Sequence, residues 1–325
     1  MSASVIADAH EGAATEHGAV APWDPTQPHA ALAADVRWWA GSPVSFGLFG
    51  RLALDQVAYR EVAAAVDASG RFKQNFTNRG IRSYLWGPLL LFGDDVDRRA
   101  TADRLKQMHG AVRGRGKGAF ADVRYSALNP DLWKWVAVSS QNIFYAGYIA
   151  TFGDDFTDNE RQVVYSTLRY MSEFGLPSEA SQTPETFAEA AAYYEDVAST
   201  KLADNEFLQW ANRQFDMLPV PTLFGPRWLH ALVTPLWRLV TPVFARPVRV
   251  CSEGASHPRM RELLGVTWTR RRQREYRFYL AMLRFMHHRL PKVLTLEPLA
   301  YNRYRYERLR TLYGGAQLET FAPPS

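Results

Sequence analysis

One histidine of this sequence has a neighbour that could make it part of a cofactor site. His109 is followed one helical turn later by Arg113, and side chains at i and i+4 project from the same face of a helix. A neutral imidazole on such a face can ligate haem iron, and a guanidinium beside it can neutralise a haem propionate with a bidentate pair. The two residues equally suit a structural arrangement, in which His109 bonds to a backbone carbonyl and Arg113 pairs with an acid. The spacing leaves both interpretations open.

The other histidines are weaker candidates. His287 and His288 lie near a predicted helix end, where a histidine interacts favourably with the helix dipole, so we expect a structural role. His230 and His257 occur in proline-rich surroundings without a charged partner at helical spacing. We expect neither of these two to be a ligand.

Several common catalytic motifs do not occur in the sequence. It has no glycine-rich phosphate loop, no dinucleotide fingerprint and no nucleophile elbow, which argues against nucleotide-binding and serine-hydrolase functions. It also has no Glu-x-x-His pair, which a di-iron carboxylate bundle requires. With Cys251 as its single cysteine, the chain cannot form an internal disulfide or a cysteine zinc site, and we expect an intracellular protein.

The helix that should carry His109 is predicted to be amphipathic. Steps of three to five residues separate its apolar side chains, which are Val96, Ala100, Leu105, Met108 and Val112. This spacing predicts a buried apolar stripe, with His109 beside it. Helical spacing of apolar residues recurs along almost the whole chain, and no segment shows the strict alternation of a half-buried strand. The predicted fold is therefore all-α, a single multi-helix globular domain.

Capping residues predict where two helices begin. Asn129 precedes Pro130, a pair typical of a helix start. Thr157 and Glu160 have the spacing of a reciprocal capping box. Gly175 supplies a stop signal for the helix that Thr157 opens.

Further boundaries follow from prolines and glycines. We expect a helix over residues 183–197, and short pieces where six prolines interrupt residues 219–247. A long arginine-rich helix is predicted over residues 269–290, and a last one over residues 298–313, stopped by the glycines at 314–315.

The basic character of the chain is concentrated near its C-terminus. The formal net charge is +5, but residues 246–310 hold 16 Lys and Arg against 5 Asp and Glu. Such an excess permits contact with an anionic membrane or nucleic acid, although solvated or paired helix faces also account for it. The apolar segment 228–245 is interrupted by prolines and an arginine, so we interpret it as a core segment or an interfacial patch. Residues 1–27 lack a secretory signal, and a cytoplasmic location is predicted.

Five segments, in order along the chain, together resemble the catalytic domain of the MpaB-type and rubber-oxygenase (latex-clearing protein) family. The most specific is Met-His-Gly-Ala-Val-Arg-Gly at 108–114, which is similar to the family's central signature. The others are 56–66, 84–93, 125–136 and 260–268. The resemblance covers residues 52–310, most of the chain.

The resemblance implies an all-α domain with one haem b, in which His109 is the proximal iron ligand and Arg113 lies beside it. Members of the family cleave carbon-carbon double bonds of isoprenoid chains with dioxygen. For this chain the resemblance implies an oxygenase that acts on a small hydrophobic substrate, of isoprenoid or other alkene type. Arg79 or Arg82 would serve as the polar group on the distal side, and Glu61 as a base.

The sequence departs from the family pattern at the distal side. Ala137 stands where the family commonly has a histidine, and Tyr59-Arg60 replaces the usual His-Pro. The segment with Arg79 and Arg82 aligns with a slip of one or two residues. Changed distal groups could alter the substrate or the reaction, or leave a haem protein with little oxygenase activity.

The predicted organisation is a flexible N-terminal tail (1–30), a helical haem-binding, oxygenase-like domain (31–315) and a C-terminal tail (316–325). Two alternatives stay open: a non-catalytic haem-binding or sensing protein on the same fold, and a basic helical protein that binds membranes peripherally. No nucleic-acid partner is expected, and the sequence does not determine the oligomeric state.

Overall fold

The computed structural model describes residues 20–173, 182–223 and 225–321. Most of these residues are helical, which confirms the all-α fold. In chain order the helices are α1 (Ala30–Ala40), α2 (Pro43–Phe49), α3 (Leu54–Ala58), α4 (Arg60–Ser69), α5 (Arg71–Gln74), α6 (Phe76–Tyr84), α7 (Trp86–Phe92), α8 (Asp95–Gly110), α9 (Pro130–Phe152), α10 (Asp158–Ser172), α11 (Phe187–Thr200), α12 (Glu206–Gln214), α13 (Arg227–Ala255), α14 (Pro258–Leu263), α15 (Arg270–Arg289), α16 (Lys292–Thr295) and α17 (Pro298–Phe321). Short 3-10 turns occur at Gly50–Ala53, Gly118–Phe120 and Gly153–Asp155.

The predicted capping residues are found at the starts of α9 and α10. Asn129 Oδ1 accepts the Asp131 N–H at 2.9 Å, and α9 begins at Pro130. Thr157 and Glu160 form the reciprocal capping box of α10. Thr269 caps α15, which ends at Arg289 as expected. The stop predicted at Gly175 lies outside the described residues.

Two predicted boundaries are wrong. Helix α11 begins at Phe187 rather than near residue 183, because Thr186 and Glu189 form the capping box there. Helix α17 continues to Phe321 instead of ending before the glycines at 314–315. A glycine ends a helix when it adopts the left-handed conformation, and neither of these glycines has a positive φ.

The prediction of short pieces between residues 219 and 247 is also wrong for its second half. Helix α13 runs unbroken through Pro235, Pro242 and Pro247. A proline removes one helical hydrogen bond and crowds the preceding turn. Pro235 and Pro242 lie on the exposed side of α13, where water can satisfy the carbonyls that each proline leaves free.

The core consists of two clusters of buried side chains, and helices α9 and α11 contribute to both. The C-terminal half of α9 contributes Ile143, Tyr145 and Tyr148 to the first cluster, which also contains Trp39 of α1. The N-terminal half of α9 contributes Leu132, Trp135 and Val138 to the second, together with residues of α3, α4, α11 and α12. Helix α9 therefore lies at the centre of the fold.

A short hairpin follows α8. Strands β1 (Arg113–Arg115) and β2 (Arg124–Ser126) pair antiparallel, with Gly114 opposite Tyr125. Gly116 begins the turn between them, and a Cβ there would collide with the Phe120 carbonyl. The close approach explains why glycine occupies this position. In the described part of the chain, no helix combines the length and the apolarity that crossing a membrane requires.

Candidate functional site

His109 lies in the last turn of α8, on the side of the helix that faces the protein. The inward residues of α8 are Arg98, Thr101, Leu105 and His109, which recur at the spacing of one helical face. The predicted apolar stripe is wrong, because Val96 and Met108 are 70% and 42% exposed.

Arg98 accounts for this error. Its guanidinium is buried and donates to the backbone carbonyls of Leu90 and Met171, at 2.9 and 3.4 Å. Charged side chains are seldom buried without such partners. A pattern that counts apolar residues assigns this face to solvent.

The imidazole of His109 has a buried nitrogen without a partner. Within the described structure, its Nδ1 makes no hydrogen bond and is shielded from solvent. Trp133 of α9 packs edge-to-face against the ring, with centroids 4.9 Å apart. A buried polar atom normally has a partner, so the unused nitrogen marks this ring as a candidate ligand.

The surroundings of His109 favour its neutral form. Burial lowers the pKa of His109, and the positive charge of Arg79 lowers it further. A neutral imidazole is the form that binds a metal. The electrostatics therefore agree with the ligand role.

Arg79 belongs to α6 and is half-buried. Its Nη1 donates to Ser83 Oγ at 2.6 Å, and the guanidinium lies 5.2 Å from the ring centroid of Phe72. Burial lowers the pKa of Arg79, as do the charges of Arg71 and Arg82. Of the two predicted distal arginines, Arg79 is the one whose charge reaches His109, whereas Arg82 is exposed.

The expectation that His109 and Arg113 share a helix face is wrong. Helix α8 ends at Gly110, and the N–H groups of Ala111 and Val112 donate to the His109 carbonyl as the chain turns. Arg113 then begins β1 opposite Ser126, and its side chain is exposed. The relation between the two residues is thus set by the hairpin.

Glu61 lies in the first turn of α4, and its side chain is half-buried. Its carboxylate raises the pKa of Tyr59, after the larger effect of burial. Helix α4 packs against β1 and β2, and Arg60 ties it to this region through both carboxylate oxygens of Asp122, at 2.7 and 2.9 Å. The structure thus packs the helix that carries Glu61 against the hairpin that carries Arg113.

The donor set at His109 fits a haem better than a bare metal ion. A structural or catalytic metal ion needs three or more protein ligands. Among the described residues, the group of histidines and carboxylates close enough to share an ion is Asp35, His287 and His288, and His109 is not part of it. Haem iron requires only an axial ligand from the protein, because the porphyrin supplies the equatorial nitrogens.

A buried acid between α3 and α11 was not predicted from the sequence. The Asp55 side chain is buried and accepts a hydrogen bond from the Tyr194 hydroxyl. Burial raises the pKa of Asp55 to about 7, and the bond from Tyr194 opposes the rise. Trp135 of α9 packs against Tyr194 with ring centroids 5.2 Å apart. Asp55 lies within an apolar stretch, and that context was the signal that could have identified it.

A comparison with protein families identifies the family of the chain. The family model described as "ER-bound oxygenase mpaB/B'/Rubber oxygenase, catalytic domain" matches residues 36–285. No curated protein and no solved structure matches the chain. The matched segment holds His109, Arg113, Arg79, Arg82 and Glu61, and it spans most of the helical core. The chain belongs to the family of mpaB and rubber oxygenase catalytic domains.

Proposed function

We propose that this protein is a haem b-dependent oxygenase that uses dioxygen to oxidise a hydrophobic substrate with carbon-carbon double bonds, such as an isoprenoid. The family supports an oxygenase. The observation that carries the haem is the buried, unpartnered Nδ1 of His109 on the inward face of α8.

His109 is the residue that would hold the iron. Trp133 restricts the orientation of its ring, and burial together with the charge of Arg79 lowers the pKa of the imidazole, which favours its neutral form. Bound haem would supply dioxygen activation, which protein side chains cannot provide.

Arg79 and Glu61 are the groups with which the chain would act around the cofactor. Arg79 places a desolvated cation near His109, where it stabilises negative charge that develops in the site. Glu61 offers a carboxylate that can accept a proton.

Arg113 and Arg82 are weaker candidates for contact with the cofactor, because both side chains are exposed. Arg113 is exposed on β1, where its guanidinium is free to pair with a haem propionate. Arg82 is exposed and acts on Arg79 through its charge.

The test is the visible absorption spectrum of the purified, haem-supplemented protein. We expect an intense haem band that disappears in His109→Ala and persists in His257→Ala. The control removes a different imidazole, which bonds to Glu195 at 2.9 Å. A colourless protein, or an unchanged band in His109→Ala, would contradict the proposal.

Dioxygen consumption separates the oxygenase from a haem sensor on the same fold. Steady consumption in the presence of an alkene substrate would support the oxygenase. Spectral changes without turnover would favour the sensor, an outcome consistent with the changed distal residues Ala137 and Tyr59.

A second feature, the exposed face of α13, bears on how the protein would reach an apolar substrate. The outer face of α13 is apolar and exposed, although outer faces of helices in soluble proteins are normally polar. Its main residues, between 63% and 73% exposed, are Trp228, Leu232, Leu236, Leu239, Val243 and Phe244. Patches of this kind mark interaction sites.

Helix α15 extends this face. Arg246 of α13 bonds to both carboxylate oxygens of Glu275 at 2.7 Å, and Glu275 shares one side of α15 with the exposed Phe278 and Phe285. Exposed arginines run along the neighbouring side of α15: Arg270, Arg274, Arg277, Arg284 and Arg289. An apolar face flanked by cations is typical of helices that bind anionic membranes.

We therefore propose that the α13 and α15 face contacts an anionic membrane surface. Flotation with phosphatidylserine-containing vesicles should recover the protein, less so at high salt, and neutral vesicles should recover little. Leu239→Glu should abolish recovery, whereas Val96→Glu, the same kind of change at an exposed residue of α8, should not. A dimer that Leu239→Glu dissociates, without vesicle binding, would assign the face to a second copy and overturn the proposal.

A further inference from the structure

The end of α15 meets α1 through a cluster of ligand-type side chains. His287 Nε2 lies 2.9 Å from Asp35 Oδ1. The Tyr148 hydroxyl donates to the other carboxylate oxygen, Asp35 Oδ2, at 2.8 Å. One nitrogen of His288 completes a group of three ligand atoms that all lie within 4.8 Å of one another.

Aromatic side chains hold the two imidazoles of this cluster in place. The buried ring of His287 packs edge-to-face on Trp39, with centroids 5.7 Å apart, and contacts Phe152 at 5.3 Å. The His288 ring lies 5.0 Å from that of Phe152 but is open to solvent. An ion could therefore enter past His288 and find the other two ligands already positioned.

Two imidazoles and one carboxylate form a donor set that suits a divalent transition metal such as Zn²⁺. In a tetrahedral zinc site, with ligand atoms about 2.0–2.2 Å from the metal, neighbouring ligand atoms lie roughly 3.3 Å apart. The Asp35–His287 pair would need to separate by only a few tenths of an ångström. Tyr148 would act as the outer partner that orients the carboxylate, a common feature of metal sites.

Two cations lie near the cluster. Lys292 donates to the His287 backbone carbonyl at 3.3 Å, and Arg284 Nε donates to that of Thr151 at 2.8 Å. Their charges weaken the binding of a cation without occupying the ligand atoms. We therefore expect a micromolar rather than a nanomolar affinity.

We propose that Asp35, His287 and His288 bind a divalent transition-metal ion that joins α1 to the end of α15. All three residues lie outside the segment 36–285 that the family model matches. His109 is not a member of this group, and the site does not depend on the proposed haem.

Equilibrium dialysis of the full-length protein against Zn²⁺, followed by zinc analysis, tests the proposal. We expect each wild-type chain to bind one zinc ion saturably, in addition to any background binding that is the same in all variants. His288→Ala should weaken this binding at least tenfold, and because His288 is exposed, the fold should persist. Asp35→Asn should weaken it similarly. His257→Ala, the matched control, should bind zinc as the wild type does.

The haem absorbance of the same samples keeps the two proposals distinguishable, since His288→Ala should lose zinc and retain the band. Thermal unfolding gives a second measurement: zinc should raise the melting temperature of the wild type and of His257→Ala, and not that of His288→Ala. Equal zinc affinity in His288→Ala and the wild type, or no saturable zinc in the wild type, would overturn the proposal.

Discussion

Replacing Asp55 with asparagine should stabilise the protein at neutral pH. The carboxyl of Asp55 is 2% exposed, and burial raises its pKa from 3.8 to about 7. Between these values the folded state holds a proton that the unfolded state has released. The free energy of unfolding therefore falls as the pH rises through this window, and above it the loss is complete and no longer changes with pH.

The size of the effect follows from the two pKa values. At about 1.4 kcal/mol per pH unit, the span from 3.8 to about 7 corresponds to roughly 4 kcal/mol. Asparagine cannot ionise, and its side-chain oxygen can still accept the hydrogen bond from Tyr194. The difference in stability between Asp55→Asn and the wild type should thus grow by up to about 4 kcal/mol from pH ~4 to pH ~7.

Urea unfolding at a series of pH values, with matched cofactor content, measures this difference. Asp103→Asn makes the same chemical change at an exposed position of α8 and should leave the pH profile of stability unaltered. A stability difference for Asp55→Asn that stays flat between acidic and neutral pH would refute the assignment of a buried, protonated acid.

Three further changes test other parts of the structure. Arg79→Gln removes a positive charge that lowers the pKa of His109, so an NMR titration of the haem-free protein should show a higher His109 pKa. An unchanged pKa would show that the charge of Arg79 does not act on His109. Thr157→Ala removes the capping box of α10 and should lower the free energy of unfolding by about 1 kcal/mol; no loss in urea unfolding would contradict the cap. Gly147→Ala would place a Cβ 2.6 Å from the Phe49 ring, and this crowding should destabilise the protein by about 1–3 kcal/mol, visible as a lower melting temperature.

Local signals in the sequence predicted the helices whose ends are set by their own side chains. Asn129, Thr157 and Thr269 each cap a helix through hydrogen bonds to nearby backbone N–H groups. Such bonds span two or three residues, so they can be inferred without knowledge of the tertiary structure. The length of α15 could also be predicted locally, because Pro291 follows its last residues.

Features that depend on distant partners could not be predicted in this way. The inward position of Arg98 requires the Met171 carbonyl, 73 residues away. Asp35 contacts His287 across 252 residues of sequence. The expected interaction of that histidine with the helix dipole therefore described only part of its surroundings. His109 was found through its spacing and the family resemblance, but its relation to Arg113 depended on where α8 ends.

Because α9 supplies side chains to both core clusters, neither cluster can lose its packing while the other keeps an intact central helix. Unfolding should accordingly be a cooperative event, with the amides of α9 among the last to exchange their hydrogens for deuterium. Damage at one end of the molecule would then be transmitted to the other through α9.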